Sequence, residues 1–398
     1  MAENKDKKVL NVPNIRFKEF KEEWEKCRLG EIATIVGGGT PDTNNSVFWN
    51  GSIQWFTPSE VGKNKYISHS IRKISEEGLK KSSAKLLPIG TILLSSRATI
   101  GECSINTIEC TTNQGFESLI INQDNYNEFF FYLIQTKRKE LIRKSCGSTF
   151  LEISSNEIKK INITKPSRKE QEKIANFLSL IDERIATQNK IIDKLESLIK
   201  GLNQKVFDRK GIILKLGDIC NIKSGYSGNQ IIKGELRVSR IETISNHRID
   251  LERVGFVENF KSSENYKLQV GDILFSNINS VEYIGNTAFV DKDYNLYHGM
   301  NLLRLIPRDK FVIPFYLYLL LNTKLMLNYF KSICNKAVSQ ASINQTELGK
   351  TIVNIPSLEE QKQICNAYQT LYKKIENEKS LLSTLYQQKQ YLLRQMFI

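Results

Sequence analysis

A chain of 398 residues is long enough for two to four domains, each able to bury a core of its own. Lysine and arginine outnumber aspartate and glutamate by 57 to 43, and a net charge of +14 points to an anionic partner. Seven cysteines without a Cys-x-x-Cys pair argue against a disulfide scaffold, and MAENKDKK is too hydrophilic for a secretory leader, so a reducing, cytoplasmic setting is expected.

Residues 1–165 begin with a charged lead, followed by Pro13-Asn14-Ile15-Arg16-Phe17 and Trp24. Leu29-Gly30-Glu31-Ile32 opens into a β-branched run, Ile32 to Val36, closed by Gly37-Gly38-Gly39-Thr40-Pro41. Ile53 to Phe56 and Ser118 to Ile121 read as strands, with the segment Leu86 to Leu94 between them. Between them lie Thr57-Pro58-Ser59-Glu60, Ser95-Ser96-Arg97, Ile100-Gly101 and Asn113-Gln114-Gly115-Phe116. Asn127 to Lys144 is helical in pattern. Glycine and small polar residues at the strand ends mark tight turns, so a mixed α/β module with long loops is expected.

Residues 166–207 then change character. Pro166 to Phe207 recurs at Pro356 to Phe397, aligned over 42 residues without a gap and identical at ten. Both copies open with Pro-Ser-x-x-Glu-Gln, which predicts capping boxes at Ser167–Glu170 and Ser357–Glu360. Ile174, Leu178, Ile181, Ile185, Ile192, Leu195, Ile199, Leu202 and Val206 step by four and three, broken at Gln188. The second copy keeps the register with breaks at Glu378 and Lys389. This is a coiled-coil seam, and at about 1.5 Å per residue each helix would be roughly 60 Å long. If the rods pair antiparallel, Gln188 and Glu378 both fall near the middle, where a polar layer would fix direction and register.

Residues 208–355 repeat the first module with substituted loops. Leu216-Gly217-Asp218-Ile219 matches Leu29-Gly30-Glu31-Ile32, Gly271 to Ser276 matches Gly90 to Ser95, and Ile284-Gly285 matches Ile100-Gly101. His298-Gly299-Met300 stands in the place of Gln114-Gly115-Phe116, and the apolar run Phe311 to Leu321, too short to span a bilayer, reads as a buried helix. The four segments, 1–165, 166–207, 208–355 and 356–398, carry net charges of +5, +2, +5 and +2. Charge therefore repeats with the framework, and two polyanion-binding modules on two helical spacers are expected.

Catalytic patterns are missing from this inventory. His69, His247 and His298 stand apart from one another and from the cysteines, no metal-ligand spacing occurs, and Thr40-Pro41 after the glycines is a poor helix start for a phosphate loop. What remains are loop side chains suited to base edges and phosphates. In the first module these are Lys63, Lys65, Arg97, Asn113, Gln114, Ser148 and Thr149. In the second they are Tyr226, Arg237, Arg240, Asn277, Asn279, His298, Lys336 and Gln340. Beside the seam, Phe177, Ile191, Leu198 and Leu381 widen the apolar stripe. Either the chain's own modules or a further protein partner would cover them.

These motifs, in this order and twice over, resemble the specificity subunit of type I restriction–modification systems along nearly the whole chain. The resemblance implies an α+β fold with a pseudo-two-fold internal repeat. Two homologous mixed α/β target recognition domains would be separated by two long helices packed as an antiparallel coiled coil. It implies a non-catalytic subunit whose domains each read half of a bipartite double-stranded DNA target. The helices would set the spacing and dock two methyltransferase (modification) subunits carrying S-adenosylmethionine, and motor–endonuclease (restriction) subunits would join for cleavage. No cofactor is expected on this chain, and no membrane. The second module lacks Asn-Gln-Gly-Phe and the Ser-Arg pair. Two other classes fit the residues: a coiled-coil adaptor that recruits proteins, and a duplicated DNA-modifying enzyme.

Overall fold

The computed structural model of the chain describes residues 11–147, 151–207, 211–336 and 340–398. It divides into two compact units, Met1–Asn189 with Ser380–Ile398, and Lys190–Lys379. Each holds one globular module and half of each long helix.

The first module runs β1 (Glu25–Arg28), α1 (Leu29–Ile32), β2 (Ala33–Gly37), β3 (Trp49–Phe56), β4 (Tyr66–Ile67), β5 (Arg72–Ile74), α2 (Glu76–Lys80), β6 (Ile92–Leu94), β7 (Cys103–Asn106), β8 (Cys110–Thr112), β9 (Glu117–Ile121), α3 (Asn127–Thr136), α4 (Arg138–Arg143), α5 (Ser155–Lys159) and β10 (Asn162–Lys165), then the long helix α6 (Arg168–Val206). The second runs β11 (Ile212–Lys215), α7 (Leu216–Ile219), β12 (Cys220–Ser224), β13 (Leu236–Val238), β14 (Gly255–Val257), β15 (Ile273–Ser276), β16 (Ile278–Asn279), β17 (Thr287–Phe289), β18 (Leu302–Pro307), α8 (Pro314–Leu321), α9 (Lys324–Ile333), β19 (Asn335–Lys336), β20 (Ala341–Ser342), α10 (Gln345–Gly349) and β21 (Ile352–Ile355), then α11 (Leu358–Gln395).

The two modules share one topology. β1 pairs with β10 and β11 with β21, both antiparallel, so each module begins and ends on the same ribbon. The main sheets have the orders β2-β9-β6-β7-β4 and β12-β18-β15-β17. Individual hydrogen bonds repeat as well. Gly101 donates to the Ser95 carbonyl at 3.1 Å and Gly285 to that of Ser276 at 2.9 Å. Ile153 donates to Ser96 at 3.1 Å and Ile343 to Asn277 at 2.9 Å. Gly101 and Gly285 sit at φ +86° and +84°, a left-handed turn that a side chain would strain and that the packed Arg138 and Phe330 side chains would also obstruct. What differs is grafted onto this frame: the β5-β3-β8 sheet with Trp49 and Trp55 in the first module, and the β13–β14 hairpin in the second.

Burial explains the helical segments. α3 packs Phe129 to Ile134 into the first core, and α8, with proline at its first turn, buries Tyr316, Leu317 and Leu319 to Leu321 in the second. The buried helix expected over Phe311 to Leu321 thus forms from Pro314 onward, while Phe311 lies before it and is exposed. Among the described residues no helix is long and apolar enough to cross a membrane.

The glutamines of the repeated Pro-Ser-x-x-Glu-Gln motif have a specific task. Gln171 accepts from the Tyr126 N–H at 2.8 Å and donates to the Pro166 carbonyl at 3.0 Å. Gln361 does the same with Ile313 at 2.8 Å and Pro356 at 2.9 Å. Each rod is thereby clamped at its root to the segment entering α3 or α8. The capping-box expectation holds for Ser357 and Glu360, whose backbone and side chains bond reciprocally. At Ser167 it does not. The Glu170 carboxylate instead accepts two guanidinium bonds from Arg16, at 2.7 and 2.8 Å, and one from the Trp24 indole at 3.3 Å. A bidentate ion pair to a nearly buried carboxylate outcompetes a neutral cap.

Within each unit the two helix segments run antiparallel. In the first, Ile174, Leu178 and Ile185 are buried, Met396 joins the same core, and Asp182 pairs with Lys389 at 2.6 Å. In the second, Ile192, Ile199, Ile364, Tyr368 and Ile375 are buried. Asn203 accepts from the Tyr368 hydroxyl at 2.6 Å, and Glu196 pairs with Lys379 at 2.8 Å. Gln188 and Glu378 are 6% and 7% exposed near the middle of their helices, buried as the register predicts.

Candidate nucleic-acid interface

Several of the candidate side chains gather where loops leave the main sheet. In the first module, Gly38 donates to the Phe116 carbonyl and Gly39 to that of Thr112 at 2.8 Å, drawing the loop after β2 onto the loop before β9. A Cβ on Gly38 would fall on the Asn113 and Thr112 carbonyl oxygens, so only glycine permits this approach. The glycine run is therefore a packing device with no helix start behind it. Ser96 donates to Gly115 at 2.8 Å, which brings Arg97 to the same cluster.

Here Gln114 is exposed and accepts from the Thr40 hydroxyl, while Asn113 turns its side chain back onto the Gly115 N–H at 2.9 Å. Arg97 is half exposed and pairs with Glu152 at 2.7 Å. Lys63 is exposed on the loop before β4. Lys65 is a correction. Its ammonium pairs with Glu128 at 2.5 Å, bonds Ser179 on α6 and lies over Tyr132, with the side chain 9% exposed. An acidic partner on α3 was available, so this lysine binds the module to its own rod. Ser148 and Thr149 lie outside the described residues.

The second module builds the same pinch with other residues. Tyr226 donates to the His298 carbonyl at 2.9 Å. Cβ atoms on Gly225 and Gly299 would strike the carbonyl oxygens of Gly299 and Ser239. Tyr226 stacks on Phe260 at 3.8 Å, which places its ring within an aromatic cluster. Arg237 donates to the Tyr294 carbonyl at 3.1 Å. Arg240 is exposed beside Glu242 at 3.6 Å. Asn277 and Asn279 bond Ile343 and Ser276 locally, and Lys336 and Gln340 are exposed near β19 and β20.

His298 is the second correction. It is 1% exposed, its Nε2 lies 2.9 Å from the Leu302 carbonyl, and burial pushes its pKa down to about 4. It is a neutral core residue, out of reach of any base.

Pattern reading missed Asn229, Gln230 and Asn301. With Arg240, Glu242 and Met300 they line a cavity of about 350 Å³ beside the pinch. Two amides following Ser227-Gly228 were the available signal. Among the described residues, no group of three histidines, cysteines or acids could hold a metal ion.

On the rods, Ile191, Leu198 and Leu381 are exposed at 37%, 49% and 44%. Phe177 is half buried, edge-on to Phe17 at 5.9 Å, so the chain's own N-terminal segment covers part of it. In the first unit Phe177, Leu180, Ile181, Leu381 and Leu385 line an open groove of about 590 Å³.

A family described as the type I restriction modification DNA specificity domain matches the chain twice, over residues 21–197 and 213–387. The MjaIX specificity subunit of Methanocaldococcus jannaschii is 34% identical over 245 residues, covering 53% of this chain and 57% of the relative. The EcoR124I/EcoR124II specificity subunit of Escherichia coli is 30% identical over 201 residues, 49% and 48% of the two chains. The matched part thus spans about half the length of these relatives. Among solved structures, the type I restriction–modification S subunit of M. genitalium superimposes with a TM-score of 0.58 at 17% identity, over 97% of this chain and 99% of that one. A chain from a study of type I system assembly and conformational transition gives 0.63 at 18% identity, over 93% and 96%. At these identities the structural likeness is one of fold.

Proposed function

From a chain that belongs to the type I restriction modification DNA specificity domain family, we propose a non-catalytic, sequence-reading subunit of a type I restriction–modification complex. Each module binds one half of a bipartite double-stranded DNA target. The long helices set the interval between half-sites and dock two methyltransferase subunits, which carry the S-adenosylmethionine, and motor–endonuclease subunits join for cleavage. The setting is cytoplasmic.

The observation that carries this reading is one framework built twice, down to paired hydrogen bonds, with different loops on each copy. An asymmetric DNA sequence needs two readers of one architecture and unlike contacts. Basic loop residues such as Lys63 hold phosphates and fix orientation, whereas amide and guanidinium groups read base edges. Half-sites on one face of B-DNA recur about every 34 Å, an interval that helices of roughly 60 Å can bridge. The exposed Ile191, Leu198 and Leu381 support docking of a further protein on the rods.

The test is to co-express the chain with its methyltransferase subunit and map adenine methylation across the genome. Exchanging residues 210–340 for those of a relative is expected to change one half of the methylated sequence and leave the other. A change in both halves would refute the modular reading, and a wild-type map without sequence preference would refute DNA reading altogether.

A further inference from the structure

In the second unit three backbone segments meet at Gly225, Ser239 and Gly299, so closely that a Cβ on either glycine would collide with a carbonyl oxygen. The loop carrying Ser227 to Gln230, the turn carrying Arg240 to Glu242 and the turn at Met300-Asn301 therefore open onto one cavity. Beneath it lies Gly255, buried and without a side chain. A Cβ there would come within 2.7 Å of the Gln230 Oε1 and 3.2 Å of the Arg240 Cδ, so this bare patch lets the two side chains lie next to each other.

Their polar groups are uncommitted. Among the described residues the side-chain amides of Gln230, Asn229 and Asn301 hydrogen-bond to no protein group. The nearest approach of the exposed Arg240 guanidinium to an acid is from its Nε to Glu242 at 3.6 Å, beyond hydrogen-bond distance. Among the other loop candidates, Arg237 is engaged by Tyr294, Asn279 by Ser276 and Ser280, and Arg97 of the first unit by Glu152, while the exposed Gln340 lies outside this cavity. A planar two-donor fork matches O6 and N7 of guanine, and a side-chain amide, donor and acceptor together, matches N6 and N7 of adenine.

We propose that Arg240 and Gln230, side by side over Gly255, are the purine-reading pair of the second unit, with Arg240 on a guanine edge and Gln230 on an adenine edge in the major groove. This rests on the DNA-reading function above. Glu242 lies beside the guanidinium without a hydrogen bond to it, and the glycine pinch fixes the position of the loops that carry the pair.

The test is a methylation map of the chain co-expressed with its methyltransferase, wild type against Arg240→Ala, Arg240→Lys and Gln230→Ala. The expected result is a wild-type map with a defined bipartite sequence. Arg240→Ala relaxes one guanine position and Gln230→Ala one adenine position in the same half, with preference there falling about tenfold or more. Arg240→Lys keeps the charge but lacks the fork, and is expected to relax the same guanine position. Unchanged thermal unfolding of the variants ties these effects to the contact. A variant map identical to wild type, or a loss spread evenly over all sequences as for a phosphate contact, would overturn the assignment while leaving the function standing. A wild-type map without sequence preference overturns both.

Discussion

Phe397 follows α11, yet its side chain belongs to the core of the first unit. It is 7% exposed, its ring lies 5.1 Å from that of Phe129, and Phe129 in turn meets Trp24 at 5.9 Å. The Gln395 carbonyl accepts from the Ile15 N–H at 3.0 Å, which seats this segment beside the N-terminal motif. Phe397→Ala removes a ring from a closed core, a change that costs about 3–5 kcal/mol in comparable sites. Phe397 sits at the edge of its cluster, so the lower figure applies. For a folding unit of this size, about 3 kcal/mol lowers the midpoint by roughly 6–12 °C. The assay is direct, because Trp24, Trp49 and Trp55 are all the tryptophans of the chain and all lie in the first unit. Tryptophan fluorescence of the variant is expected to show that downward shift, with amide protection in β15 and β18 unchanged at the wild-type melting onset. A tryptophan transition that stays in place would refute the assignment of Phe397 to that core.

Three further outcomes follow from His298, Lys65 and Lys63. His298 titrates near 4 when folded against an ordinary 6.5, so the neutral form stabilises the second unit above pH 6.5, and that contribution is lost as pH falls toward 4. The loss is at most about 3 kcal/mol. Urea midpoints of His298→Gln should lack this acid limb, and an unchanged limb would assign it to other groups. Lys65→Met should destabilise the first unit by a few kcal/mol, about the cost of breaking a buried pair, and leave the salt dependence of DNA binding untouched. Lys63→Ala should do the reverse, lowering the slope of log affinity against log salt by about 1. Equal slopes for both variants would place the two lysines in the same environment.

The repeat, the rods and the strands β2, β3 and β9 were legible because they rest on periodicity and order, which a chain carries locally. The apolar steps from Ile174 to Ile199 and the clamped glutamines Gln171 and Gln361 needed no tertiary knowledge to locate. Side-chain assignment was less legible, for a physical reason. A lysine on a loop reads the same whether it faces a phosphate or a carboxylate, and Lys65 found Glu128 on α3 and Ser179 on α6. His298 reads as a polar loop residue until its backbone neighbours close over it. Glu170 had a local cap available, and Arg16, distant in sequence, displaced it. Gln230 gained meaning only from Gly255, whose missing side chain makes room for it.

The seat of Met396 and Phe397 in the first core also bears on how the protein is made. The ribosome completes the first globular module long before it reaches these residues, and everything from Lys190 to Lys379 must be translated in between. At about 5–20 residues per second, that is an interval of roughly 10–40 s. Throughout it the nascent module presents the Phe129 face that Phe397 later covers. The part translated first is therefore sealed last, and during that interval the emerging chain has an apolar site open to chaperones or to other nascent copies.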